Sequence, residues 1–431
     1  MTGTRSRDGW PVPADFAAAP GAADLERWKE ADRAARPIHL ARLRARFDGA
    51  GVDAYFGVRP EHTRYLTGFA LADGEEKVAG NSGQFLVSGD EVTVLADTRY
   101  AIQARREAPD ARQFEAYNDL PTRWLELLKS VGARRVAVEA ALVPHAVWGR
   151  LAAAAPDVKL VPVEGWVEAD RATKEPAEIE RIAAACAVAD RALAALLPEI
   201  RPGVTEANLA LRLEWLMRTG GAEASAFGVA CLSGPEAALP HGSPGDRPVR
   251  DGTVLLFDFG AQVGGYRSDM TRTLFVGEPS ERDLRIYELV ARAQGAAIAA
   301  VEQAAARACR AGHSAGHSAG DPAAGDPAHV LPSGRAIDAV ARDVIVAAGH
   351  GPHFGHGTGH GIGLATHEAP SLGRLASDDP LPSPTVFSVE PGVYLEGEMG
   401  VRIEDLIALD ATAGRVERLT RFPREVVVVG A

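Results

Sequence analysis

Residues 355–367 of this 431-residue chain read Gly-His-Gly-Thr-Gly-His-Gly-Ile-Gly-Leu-Ala-Thr-His, five glycines and three histidines in one short stretch. Glycines at this density let the backbone pass where a Cβ would block it, and imidazoles so close together can reach one point. The fold must therefore wrap this segment tightly around something that His356, His360 and His367 approach. Downstream, Thr385 to Glu390 reads as a strand that Pro391 and Gly392 stop just after the acid. Val401 and Ile403 alternate with Arg402 and Glu404, which places the last two on one face of a strand.

Upstream, Thr253 to Gly260 is a continuous apolar strand interrupted by one carboxylate, Asp258. A buried, unpaired aspartate costs several kcal/mol, so Asp258 requires a cation, a hydrogen-bond network or a metal. Asp269 follows eleven positions later, beyond a turn at Gly264-Gly265. Two strands joined by a short turn can bring both carboxylates to one place, as a pair of divalent cations requires. Salt bridges to Arg267 and Arg272 are the alternative, and the spacing leaves both open. The inward-facing groups together number four carboxylates and at least one imidazole, with no cysteine. That set suits Mn²⁺, Co²⁺, Fe²⁺ or Zn²⁺ and disfavours Cu(I).

A chain of this length predicts two domains. Residues 1–36 contain Pro11, Pro13 and Pro20, lack periodicity until about Leu25, and are expected to form a loose extension. Residues 37–170 read as an α/β domain, with strands near 53–58, 84–87, 91–95 and 136–139 and a hairpin at Ser88-Gly89-Asp90. Its helices are expected near 38–49, 119–131 and 144–154. A polar joint at Glu168 to Glu175 leads into residues 171–431, with helices opening at Pro176, Thr205 and Ser280 and another around Ile337. Near 311–329 the tetrapeptide HSAG and the pentapeptide AGDPA each occur twice. This low-complexity stretch is expected to be a surface loop, with His313, His317 and His329 as solvated side chains.

The remaining composition works by exclusion. A net charge of −12 argues against a nucleic-acid partner, which needs clustered positive charge. The N-terminus has no apolar signal region, and no stretch approaches the roughly 18 apolar residues of a spanning helix, so no membrane is expected. Cys186, Cys231 and Cys309 are odd in number and far apart, as free thiols in a reducing cytoplasm would be.

The order Asp258, Asp269, His360, Glu390, Glu404, with the motifs around each, resembles the pita-bread metallopeptidases, specifically their aminopeptidase P and prolidase branch. Residues 178–431 resemble the catalytic domain. Tyr65-Leu-Thr-Gly-Phe69 and Ala96-Asp-Thr-Arg-Tyr100 resemble the branch's N-terminal domain. The resemblance implies an α/β N-terminal domain followed by an α+β pita-bread (creatinase/aminopeptidase-type) catalytic domain. It implies two divalent metal ions, Mn²⁺ first among them, with Asp258 on one, His360 and Glu390 on the other, and Asp269 and Glu404 bridging. His241 and His367 would face the substrate and stabilise the tetrahedral intermediate, His356 would stand near the pocket, and Arg402 close to the metals. Glu390 would move the proton of a hydroxide shared by the metals. The expected activity is cleavage of the bond between an N-terminal residue and proline, as an Xaa-Pro aminopeptidase. Prolidase, an Xaa-Pro dipeptidase, is the alternative, and a creatinase-like amidinohydrolase or a non-catalytic binding module on the same fold stand behind both. A proline-containing peptide as substrate and a homo-dimer or homo-tetramer are also implied.

Overall fold

The computed structural model describes residues 4–5, 9–71, 82–116, 120–315 and 331–430. The chain divides into two compact units, one over Glu26–Asp170 and one combining the segment up to Leu25 with everything from Arg171 onward.

In the first unit α1 (Ala22–Arg44) precedes six strands, β1 (Ala54–Gly57), β2 (Gln84–Ser88), β3 (Val92–Leu95), β4 (Arg112–Phe114), β5 (Arg135–Glu139) and β6 (Lys159–Val163). They form one mixed sheet in the order β4-β3-β2-β1-β5-β6. The expected hairpin joins β2 to β3, closed by Ser88 N–H donating to the Glu91 carbonyl at 2.9 Å. Leu127 and Leu128 of α2 (Leu120–Ser130) and Val147 and Leu151 of α3 (His145–Ala154) pack with Phe56, Val136 and Val138 in one core.

The expected loose extension over residues 1–36 needs correction here. The first helix begins at Ala22 and runs through Pro37, so residues 22–36 are not loose. Proline removes one helical hydrogen bond, but the burial of Trp28, Ala35, His39 and Leu43 along one side of this helix outweighs that loss. Residues ahead of it are also anchored, by the Trp10 indole donating to the Val428 carbonyl at 2.9 Å and by Phe16 stacked on Phe422.

The second unit is built on two five-stranded sheets. One has the order Thr4–Arg5, β17 (Val426–Val429), β9 (Met270–Val276), β8 (Thr253–Phe259), β7 (Ala230–Ser233). The other has the order β11 (Glu368–Leu372), β10 (Gly359–Gly361), β12 (Thr385–Val389), β15 (Asp405–Asp410), β16 (Arg415–Arg418), and a separate ribbon pairs β13 (Gly392–Leu395) with β14 (Met399–Arg402). Among the helices that accompany them are α4 (Pro176–Leu196), α5 (Glu206–Thr219), α6 (Glu281–Ala315) and α7 (Gly334–Ala347). Side-chain oxygens of Thr205 and Ser280 cap α5 and α6, as their positions before apolar runs predict, and Ser333 caps α7. Val290, Ala297 and Val301 of α6, Ile337 and Ile345 of α7, and Leu256, Phe275, Phe387 and Ile407 of the two sheets share one core. The α6 helix continues through Ala315, so residues 311–315 are helical rather than loop. The rest of the low-complexity stretch, with His317 and His329, lies outside the described residues.

Candidate metal centre

β8 and β9 are antiparallel neighbours with Asp258 opposite Thr271 and Phe259 opposite Met270. Asp269, one residue before β9, therefore comes to the same end of the pair as Asp258. Arg267 binds the Ala226 carbonyl and Thr366 Oγ1, while Arg272 pairs with Asp405 at 2.6 Å.

The glycine-rich segment is explained by strand β10. A Cβ on Gly359 would lie 1.9 Å from the Ser388 carbonyl oxygen, and one on Gly361 would lie 2.1 Å from the Ala369 carbonyl oxygen. Only glycine lets this strand lie so close to both neighbours. His360 sits between the two. Its Nδ1 is 3.1 Å from the Gly361 carbonyl, which can only accept, so Nδ1 carries a proton and Nε2 faces the carboxylates. Nε2 lies 3.3 Å from Glu390 Oε1 and 3.7 Å from Asp269 Oδ2.

Glu404 is not on a strand as expected. It occupies the break between β14 and β15, where its N–H donates to the Thr271 carbonyl at 3.1 Å and its Oε2 accepts from the Thr271 hydroxyl at 2.7 Å. Arg272 donates to the carbonyls of Thr271 and Glu404 and so clamps this backbone in place. Asp269, His360 and Glu404 each offer a ligand atom within 4.8 Å of the others.

Asp269 and Glu404 are buried, and Asp258 and Glu390 are mostly so, while Arg402 and His360 are the cationic groups among them. Burial, then the nearby Glu404, pushes the Asp269 carboxyl well above its usual range; burial, then Glu390, does the same to Glu404. Asp258 is also raised by burial, against the opposing charge of Arg402. Glu390 behaves differently, because its bond to His360 overcomes burial and holds it at about 2. Burial would lower His360, but Glu390 lifts it to about 9. Two carboxylate oxygens, Asp258 Oδ1 and Glu404 Oε1, are buried without a hydrogen-bond partner among the described residues. An excess of carboxylate charge with unsatisfied oxygens beside an open imidazole nitrogen fits divalent cations.

All nine residues singled out from the sequence line one cavity of about 430 Å³: His241, Asp258, Asp269, His356, His360, His367, Glu390, Arg402 and Glu404. Phe227, Pro240, Thr366 and Ser371 also line it. The rings of His360 and His367 are 4.2 Å apart. His241 and His367 make no side-chain hydrogen bond among the described residues. Burial, then His360, lowers the His367 imidazole, favouring its neutral form.

Sequence reasoning missed Tyr394. Its hydroxyl accepts from Arg402 at 3.0 Å and lies 2.8 Å from His356 Nε2. Arg402 also donates to Asp258 Oδ2 at 2.6 Å, Thr271 Oγ1 at 2.7 Å and the Pro240 carbonyl at 3.3 Å. Tyr394 lies in a short apolar strand and carries no signal of its own. Only the convergence of His356 and Arg402 on its hydroxyl reveals it.

Among the described residues, His62, Glu139 and Glu168 of the first unit also lie close together. There cationic groups already stand beside the carboxylates: Arg59 Nε is 3.9 Å from Glu139 and 3.7 Å from Glu168, and His62 Nδ1 lies against Glu139 Oε1. Glu139 also accepts the N–H groups of Val58 and Arg59, so this cluster anchors the start of the helix Pro60–Thr67.

Residues 180–321 and 328–411, more than half of the chain, match the family described as metallopeptidase family M24. The chain belongs to that family. Residues 39–173 match the creatinase/prolidase N-terminal domain. The chain is 29% identical over 389 residues to the Xaa-Pro dipeptidase of Pyrococcus furiosus, covering 90% of this chain and 99% of that protein. Among solved structures it is similar to an Xaa-Pro dipeptidase from Bacillus anthracis, at 32% identity and a TM-score of 0.77, over 91% of this chain and 100% of that one. It is also similar to an X-Pro aminopeptidase from Thermotoga maritima, at 33% identity and a TM-score of 0.71, over 88% and 98%. The M24 chain is thus a metallopeptidase with a creatinase-type N-terminal domain and a pita-bread catalytic domain.

Proposed function

We propose that this M24 protein is an Xaa-Pro dipeptidase, or prolidase, using two divalent metal ions. The observation that carries the metal chemistry is the pair of partnerless buried oxygens on Asp258 and Glu404, set among Asp269, His360 and Glu390. The preference for dipeptides reverses the order expected from the sequence. It rests on full-length relatives bearing the dipeptidase or prolidase name, in Pyrococcus furiosus, Pyrococcus horikoshii and Bacillus anthracis.

In this reading Asp258, Asp269, His360, Glu390 and Glu404 would hold the two ions; Mn²⁺ is the proposed metal. Bound ions would lower the pKa of a shared water and polarise the scissile carbonyl. Glu390 meets His360 and Ser388 through Oε1, at 3.3 and 3.1 Å, while Oε2 stands 4.0 Å from Arg402 Nε; Oε2 would accept the water's proton and pass it to the departing proline nitrogen. His241 and His367, whose side chains make no hydrogen bond among the described residues, donate to the substrate as negative charge gathers on the carbonyl oxygen. His356 does not act directly, since both ring nitrogens are engaged, by Gly357 and Tyr394. A tertiary proline amide offers no N–H, and no group in this arrangement requires one.

Arg402 favours the second reading, an Xaa-Pro aminopeptidase. A dipeptidase must recognise the free carboxylate beyond proline, and Arg402, the arginine lining the cavity, already spends its donors on Asp258, Thr271, Tyr394 and Pro240. The solved X-Pro aminopeptidase from Thermotoga maritima is equally similar. Hydrolysis of Ala-Pro by the Mn²⁺-loaded protein, lost on chelation and weaker on Ala-Pro-Ala, supports the dipeptidase. The reverse order of substrates supports the aminopeptidase. A cytoplasmic homo-dimer or homo-tetramer is proposed with either; no helix among the described residues is long and apolar enough to cross a membrane.

A further inference from the structure

Among the described residues no hydrogen bond orients the His367 side chain, yet its ring must be held over the metal ligands if it is to meet a substrate. The adjacent residue accounts for this. Glu368 turns away from the cavity, and its side chain is 6% exposed between Arg171, at 3%, and Lys174, at 0%. Lys174 Nζ donates to Glu368 Oε1 at 2.8 Å, Arg171 donates to Oε2, and Oε2 also accepts the Ala365 N–H at 3.3 Å. The carboxylate therefore fixes both ends of the loop Ala365-Thr366-His367. Burial alone would raise this carboxyl, but Arg171 and Lys174 keep it ionised.

The cations are themselves tied to the metal-bearing sheet. Lys174 N–H donates to the Pro384 carbonyl at 2.8 Å, and Thr385 Oγ1 donates to the Ala172 carbonyl at 2.9 Å. Thr385 opens β12, the strand that ends beside Glu390. Gly363 completes the fit, since a Cβ there would lie 2.5 Å from Glu368 Oε1 and 3.2 Å from Lys174 Cε. One continuous set of bonds thus runs from the strand that ends beside Glu390 through Lys174 and Glu368 to the loop carrying His367.

We propose that Glu368, clamped by Arg171 and Lys174, is a positioning residue that sets the His367 imidazole over the metal centre. This rests on the reading that His367 acts on the substrate. Glu368→Gln would strand two buried cations and can unfold the unit. Lys174→Met is the more informative variant, because it loosens the clamp while leaving the Arg171–Glu368 pair intact. Supporting groups of this kind are worth ~10–100-fold in activity. Lys174→Met should lower kcat on Ala-Pro by that factor at unchanged metal content. In a His367→Ala background it should add less than about twofold, because residues acting through one another are not additive.

A second readout needs no turnover. In the imidazole ¹H–¹⁵N spectrum of the full chain, the His367 signal, identified by its loss in His367→Ala, should move in Lys174→Met while that of His241 stays. If the wild type fails on every Xaa-Pro substrate, the functional reading falls and the spectrum still decides this one. An unmoved His367 signal, or losses from Lys174→Met and His367→Ala that multiply in the double variant, would overturn the proposal.

Discussion

Replacing Arg402 with alanine removes the one guanidinium that the cavity contains and strands a carboxylate. Arg402 is 4% exposed, and its closest partner is Asp258 Oδ2 at 2.6 Å. Breaking a buried ion pair from one side costs ~3–5 kcal/mol, because the remaining charge is left in a poorly solvating site. For a unit approaching this size each kcal/mol moves the melting temperature by about 2–4 °C, so Arg402→Ala should melt roughly 6–20 °C below wild type in a chelator. The gap should narrow as pH falls. A buried acid whose folded pKa is raised destabilises the folded state above its ordinary range and is relieved as it takes up a proton. Mn²⁺ should restore part of the loss, since a divalent cation replaces the missing charge beside Asp258. Arg402→Lys should recover little, as one compact ammonium cannot reach the four acceptors that the guanidinium spans. Thermal melts in EDTA and in Mn²⁺, with metal analysis of each sample, make the test. A variant that melts within about 2 °C of wild type in EDTA and keeps its full metal content would refute the argument, because the expected ΔΔG corresponds to at least three times that shift.

Other outcomes follow from the same geometry. Glu404→Ala should abolish peptide hydrolysis and lose about one or more equivalents of metal while the protein stays folded, and an active variant would contradict its proposed role as a metal ligand. Tyr394→Phe leaves an Arg402 donor and a His356 nitrogen without their shared partner, at a cost of about 1–3 kcal/mol; kcat/KM should drop at least about tenfold, and an unchanged value would remove Tyr394 from the site. In the metal-free protein, His360, lifted to about 9, contributes stability that is present below its ordinary pKa and lost as pH rises through about 9. The raised carboxyls of Asp269 and Glu404 act in the same direction. The melting temperature in chelator should therefore climb as pH is lowered from 9 towards 6.5, whereas metal affinity falls because protons compete for the ligands. A flat or opposite trend in chelator would show that these groups are ordinary in the folded chain.

Much of the site was legible because its residues stand beside strong local signals. Asp258 interrupts an apolar strand, His360 lies in a glycine-rich run whose packing forbids a Cβ, and Glu390 precedes a Pro-Gly stop. What escaped was of two kinds. Tyr394 acquires its role from groups eight and thirty-eight residues away, and no pattern within β13 marks it. Arg402 and Glu404 do face one site, but by a break after Arg402 rather than by the alternation of one continuous strand. The N-terminal segment was misread because proline and missing periodicity argue for looseness, whereas Trp10 and Phe16 are held by single tertiary contacts with Val428 and Phe422. The choice between Arg267, Arg272 and metals as partners for the two aspartates could not be made from spacing. It required knowing that Arg272 is occupied by Asp405, on the other sheet.

The central claim is that the metals of this site cleave the bond before a C-terminal proline. The most direct measurement is kcat/KM for Ala-Pro and for Ala-Pro-Ala, taken on Mn²⁺-loaded and on chelated protein under one set of conditions. The account predicts a clear preference for the dipeptide with metal bound and no turnover of either substrate without it. Equal or faster cleavage of the tripeptide would make the protein an Xaa-Pro aminopeptidase, and turnover that survives complete removal of metal would contradict the account altogether.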